Sequence, residues 1–201
     1  MSRATDSRPK AGQYSFSSSL LISLFLLSVS QVGVCFARIS EQTLTIHLYN
    51  QSAASEQELT DLQRTVSEVF SHTSFTVFWV SLSSEVDSRV RRVEQSASRD
   101  IYLTIVDRCT GADSHTMGAA TLGTGRATVY YRRAQVLARM ADCRVSAGKI
   151  MGYAGAHEIA HLILHSPRHS ATGVLKSTWS LDDFRCMSQS RFWFVGEFSP
   201  R

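Results

Sequence analysis

Between Ala154 and Leu175 the chain reads AGAHEIAHLILHSPRHSATGVL, with four histidines and one glutamate in a short run. The pentad His157-Glu158-Ile159-Ala160-His161 carries the sharpest chemical content. On a helix, positions i and i+4 stand one turn apart on the same face. Two imidazoles so placed can share one zinc ion through bonds of about 2.0–2.1 Å. A glutamate beside the first of them can reach a water on that ion, take its proton and later pass it to a leaving amine. Zinc lowers the pKa of such a water towards roughly 7 and polarises a scissile carbonyl. The residue types therefore point to amide hydrolysis, with His157 and His161 as ligands and Glu158 as general base.

A third ligand is needed. His165 continues the i, i+4, i+8 series, but eight residues of helix rise about 12 Å. Nitrogens bound to one zinc lie within roughly 4 Å of one another. One straight helix cannot supply all three. Pro167 disfavours helix at Ser166 and cannot continue the hydrogen-bond ladder, so the chain must turn there. His169, in a loop with Ser170 and Gly173, is placed to fold back and ranks ahead of His165. Asp182 and Asp183 are distal carboxylate candidates, but they follow Ser180 and fit the first turn of a last helix, where acids are favourable.

Other elements must hold this cluster. TLTIHLYN (43–50) alternates as a strand. Residues 55–72 place Leu59, Leu62, Val66 and Phe70 at helical spacing, behind a capping box of Ser55 and Glu58. FTVFWVSL (75–82), IYLTIVD (101–107) and ATVYY (127–131) read as further strands. Residues 133–143 read as a helix, and Ser146 caps another that runs through His165. LDDFRCMSQSRF (181–192) is a terminal helix candidate. The expected fold class is α+β: a small mixed sheet in β-α-β-β-β-α order, with a buried helix carrying the pentad.

The chain has 201 residues, 43% of them hydrophobic and 19% charged, which fits one globular domain behind a processed leader. Arg3, Arg8 and Lys10 precede the apolar run Ser19 to Ala37, the layout of a secretory signal peptide cleaved after Ala37, an uncleaved anchor being the rival. Residues 1–37 are thus expected to be a signal peptide and 38–201 the domain, secreted or periplasmic and without stable membrane insertion once the leader is removed. The remainder holds 18 basic and 16 acidic residues, a net +2 too small to argue for nucleic acid. The basic cluster Ser88 to Asp100 reads as a solvated face. Cys109, Cys143 and Cys186 remain after the leader, an odd number without CxxC spacing, so a cysteine zinc site is not expected. His47, His72 and His115 lie outside the cluster and read as strand or surface residues.

HExxH, a helix stop, a third histidine and a glycine turn together resemble the metzincin arrangement of zinc peptidases, HExxHxxGxxH. Here Leu164 stands at the glycine position, and the third histidine comes two residues later. The chain is also similar to a group of small exported bacterial zinc metallopeptidases whose pattern runs HEIGHLLL, a short loop, HS, two residues, GIM and a nearby Trp. The corresponding residues are HEIAHLIL, HSPR, HSATGVL and Trp179. The likeness extends to VYYRRAQVLARMADC and FWF, and is loose over the first half. Ala160 replaces a glycine, His165 a glycine that would end the helix in left-handed conformation, and Leu175 the turn methionine. The resemblance implies a zincin-like fold, a Zn2+ cofactor held by His157, His161 and His169, and a peptide or protein substrate. It also implies that an edge strand before the active-site helix pairs with extended peptide. GAATLG (118–123) is either that strand or a glycine-rich hairpin loop. Two further readings stand beside the peptidase. One is a zinc protein without proteolysis, such as a degenerate peptidase or a hydrolase of other amides. The other is a membrane-anchored interaction domain without metal. Glu158 favours an enzyme, since a structural zinc site needs no base and closes with four protein ligands.

Overall fold

Strict alternation builds the first strand. In β1 (Gln42–Gln51), Leu44, Ile46 and Leu48 are buried while the residues between them face the opposite side. The computed structural model describes residues 42–81, 100–108, 116–140 and 144–196. The expected leader, His115, Cys109, Cys143 and the basic cluster up to residue 99 lie outside the described residues. Helix α1 (Glu56–Phe70) opens on the expected capping box, with the Glu58 carboxylate accepting from the Ser55 amide at 2.8 Å. It buries Leu59, Leu62, Val66 and Phe70.

The β1-α1-β2 unit lays β2 (Phe75–Ser81) parallel to β1. β3 (Asp100–Val106) is parallel to β1 on its other side, and β5 (Arg126–Tyr130) is parallel to β3. β4 (Gly118–Thr121) closes the order β2-β1-β3-β5-β4 as an antiparallel edge. Among the described residues this is a five-stranded mixed sheet with four helices. β4 is one strand more than the expected order contains, and of the two readings of 118–123 it is the edge strand, ending at Thr121. Its four small residues give no alternation to detect, and only the hairpin glycines Gly123 (φ 80°) and Gly125 (φ 67°) mark the turn after it.

Helix α2 (Tyr131–Met140) follows β5 directly, two residues earlier than its pattern indicates. α3 (Ala147–Leu164) starts at Ser146, whose hydroxyl accepts from the Lys149 amide. α4 (Leu181–Ser188) starts at Ser180 with Asp183 completing a second capping box. No described helix is long and apolar enough to cross a membrane.

α3 is the centre of the core. It is buried continuously from Ile150 to Leu162, with α1, α2, α4, β4 and β5 packed around it. Close approach to α1 depends on glycine. A Cβ on Gly152 would lie 2.4 Å from Thr65 Cβ and 2.9 Å from the Leu62 carbonyl. Helix propensity alone favours Gly152→Ala by about 1 kcal/mol. The added methyl meets a buried β-branched residue and backbone, and overpacking costs about 1–3 kcal/mol or more. The clash should win. Gly152→Ala is expected to lower the denaturant midpoint, with a loss of about 1–3 kcal/mol; a midpoint at or above wild type would show that α1 and α3 are not pressed together.

Candidate metal centre

His157 and His161 project one turn apart from α3, and both are buried. Each ring uses Nδ1 on a backbone carbonyl: His157 on Val174 O at 2.8 Å, His161 on Ser166 O at 2.7 Å. A carbonyl only accepts, so each Nδ1 carries the proton and each Nε2 a lone pair. Those two Nε2 atoms converge to 3.0 Å. A tetrahedral zinc with bonds of about 2.0–2.1 Å separates its ligand nitrogens by about 3.3 Å, so the pair is set near that spacing. Carbonyl partners of this kind are what orient metal-bound histidines.

The chain beyond α3 turns back as Pro167 demands, one residue earlier than the pattern indicates. His165 is the C-cap, in left-handed conformation at φ 48°, ψ 37°. The His165 amide donates to Leu162 O and the Ser166 amide to His161 O, closing the orphan carbonyls of the last turn. This reversal carries His169 over the helical pair. Its ring centroid lies 5.2 Å from that of His157 and 5.0 Å from that of His161. One ligand nitrogen from each of the three histidines falls within a 4.8 Å group that could hold a metal ion. Exposed His165 stays outside the group. Asp182 and Asp183 sit in the first turn of α4, as their position after Ser180 indicates. Asp183 accepts from the Ser180 amide and pairs with Lys176. Burial pushes its carboxyl up, but the bonds from Lys176 and Ser180 outweigh that and hold it below the ordinary value. Among the described residues no fourth His, Cys, Asp or Glu joins the three histidines.

The donor set fits zinc. Imidazoles are borderline-soft ligands, and three protein ligands with a position left over is the open pattern of catalytic zinc sites. Burial lowers His157 to about 4, with the carbonyl bond from Val174 opposing, so its lone pair is available at neutral pH. Burial, then the neighbouring His161, also lowers His169.

Glu158 lies beside this group, 7% exposed, and burial raises its carboxyl to about 7. Both Glu158 and the histidines line a cleft of about 730 Å³, bounded by Gly118 and Ala120 of β4 on one side and Trp179 and Phe184 on another. Trp179 stands edge-on to His157 at 6.2 Å and donates to the same Val174 carbonyl at 3.4 Å. Leu175, at the position of the turn methionine, is buried next to that carbonyl. The sequence carries no signal for the Val174 and Ser166 carbonyls, since backbone groups do not depend on residue type. Tyr153, one turn before His157, is fully buried and packs edge-on against Phe192 at 5.6 Å.

No protein-family model matches the chain, and no curated protein matches it in sequence. Among solved structures, the archaemetzincin of Methanopyrus kandleri is similar at a TM-score of 0.44 and 14% identity, over 75% of this chain and 87% of that one.

The geometry separates the two candidate third ligands. Elemental analysis of purified domain should find about one zinc in wild type, loss of most of it in His169→Ala, and retention in His165→Gly. His165→Gly should also raise stability by about 1 kcal/mol, because glycine adopts φ 48° without strain. Zinc retained by His169→Ala and lost by His165→Gly would reverse the assignment.

Proposed function

We propose that the chain is an exported zinc-dependent metallopeptidase in which His157, His161 and His169 hold Zn2+ and Glu158 is the general base. One observation carries the reading: three imidazole nitrogens converge within 4.8 Å beside a buried carboxyl group, in an open cleft. Export rests on the leader pattern of residues 1–37.

A zinc ion held there supplies Lewis acidity, making a water nucleophilic near neutral pH and polarising the substrate carbonyl. The protein's own residues do the rest. His157 and His161 are held by Val174 and Ser166 in the tautomer that leaves Nε2 free to coordinate. Glu158 sits in a low-dielectric setting, and a carboxyl tuned to about 7 can both accept and return a proton at neutral pH. It takes a proton from the attacking water and delivers one to the leaving amine nitrogen.

β4 supports a peptide as the substrate. The Tyr130 amide donates to Met117 O, so in this antiparallel ladder residues 117, 119 and 121 pair with β5. Gly118 and Ala120 then present their N–H and C=O groups outward, on an edge strand beside the cleft. An extended peptide adds to such an edge by main-chain hydrogen bonds, with little dependence on its side chains.

The test is Glu158→Gln in zinc-loaded domain against a peptide library read by mass spectrometry. Wild type is expected to cleave, with loss under chelation and recovery on adding zinc. Glu158→Gln should keep its zinc and lose about 10²–10⁴-fold in rate. Peptides that bind without cleavage in wild type would favour a degenerate peptidase; equal cleavage by Glu158→Gln would remove the base from the mechanism.

A further inference from the structure

Glycine is disfavoured within strands, and one that persists there marks a left-handed backbone or a close approach. Gly123 and Gly125 have positive φ and fall under the first explanation. Gly118 does not have positive φ, so conformation gives it no reason to be glycine. Space does. A Cβ on Gly118 would lie 2.8 Å from Glu158 Cγ, 2.9 Å from Glu158 Oε1 and 2.7 Å from the Thr128 carbonyl. Ordinary contact begins at 3.4 Å, so even alanine must part strand and carboxyl side chain by about 0.6 Å.

We infer that Gly118 is a positioning residue for Glu158: its missing side chain lets the substrate-pairing edge of β4 lie directly against the general base. This rests on the function proposed above and adds a residue to it. The Gly118 position meets two demands together. Its peptide groups face the open edge, where a bound strand would pair, while its Cα face covers the Glu158 side chain. The distance from base to bound peptide is thereby set through one residue. Glu158 stands between this strand and the cleft, so a side chain at position 118 would move the carboxyl from its place rather than leave it there. The effect is specific to position 118. Ala119 points to the opposite face and is exposed, and Ala120, next on the same face, already carries a methyl group.

The test uses the full chain loaded with zinc, and the variants Gly118→Ala, Glu158→Ala and their double. Gly118→Ala should bind zinc at wild-type stoichiometry. On a peptide that wild type cleaves, its kcat should fall about 10- to 100-fold, the scale for misplacing a catalytic group by up to about 1 Å, with KM changed much less. A loss confined to KM would mean that the glycine serves strand pairing only, and would overturn the inference. Melting temperatures give a second readout that needs no activity. The drop caused by Gly118→Ala should be smaller in the Glu158→Ala background, where Cγ and Oε1 are gone. Equal drops in both backgrounds would overturn the inference, leaving the Thr128 carbonyl as the whole reason for glycine. If Gly118→Ala alone fails to fold, folding of the double variant supports the contact, and failure of both overturns it. If wild type cleaves no peptide, the proposed function falls, while the melting cycle still decides whether Gly118 sets the place of Glu158.

Discussion

The site depends on one constraint: α3 is at once the centre of the core and the carrier of three polar groups. A helix packed on every side buries whatever it presents, and burying imidazoles or a carboxyl group without partners is unfavourable by several kcal/mol, about 1–3 for each unmet hydrogen bond. The chain meets this for the histidines with backbone rather than side chains. Val174 and Ser166 donate no charge and carry no competing proton. They satisfy one nitrogen of each imidazole and leave the other turned into the cleft. Among the described residues Glu158 has no comparable partner, and burial raises its carboxyl.

Both carbonyls belong to the segment after α3, so the site requires that segment to return. The left-handed C-cap at His165 and the proline two residues on begin the reversal. Its far end is anchored to the C-terminal stretch, with the Val174 amide donating to Trp193 O at 3.0 Å. Gly173, at φ 74°, permits that approach; a Cβ there would meet the same Trp193 oxygen at 2.4 Å. Phe184 and Phe192 each stand edge-on to Trp179, at 6.3 and 6.0 Å, and Trp179 donates to the Val174 carbonyl. Aromatic burial therefore stiffens the loop that orients His157, which connects core packing to the geometry of a ligand.

What could be read from the sequence was what side-chain identity and period encode. The apolar spacing of Leu59, Leu62, Val66 and Phe70 declares α1, and Ser55 with Glu58 declares its start. The i, i+4 histidines and the proline stop are enough to reason that His169 must come back over the helix while His165 cannot. What stayed hidden lives in backbone and space. β4 has no alternation because its residues are small, so only the resemblance pointed to an edge strand there; of these residues Gly118 is the one that the Glu158 side chain and the Thr128 carbonyl crowd. The left-handed turn falls on His165, whose residue type does not announce it; only the resemblance, with a glycine at that position, pointed there. The pressure of α3 on α1 falls on Gly148 and Gly152, which by propensity alone count against a helix.

The three histidines differ in how firmly they are held, and that difference has a physical consequence. His157 and His161 stand on the most buried helix of the described residues, and their relative placement is set when the core forms. His169 is exposed, on a loop in which Pro167, Arg168 and His169 all face solvent. Unlike the buried Val174 end of the same segment, this tip gains little from apolar burial, so much of its local stability must come from the few hydrogen bonds at its base, such as Ser170 N to Leu175 O at 2.9 Å. A metal bonded to His169 and to the two helical imidazoles would tie the weakest part of the site to the strongest. Its binding energy would then go mainly into ordering the loop rather than into forming the fold. In that respect the centre differs from a structural zinc site, where ligands are brought together only as the domain folds. Here two of three are already in place, and the open side of the cluster faces the cleft.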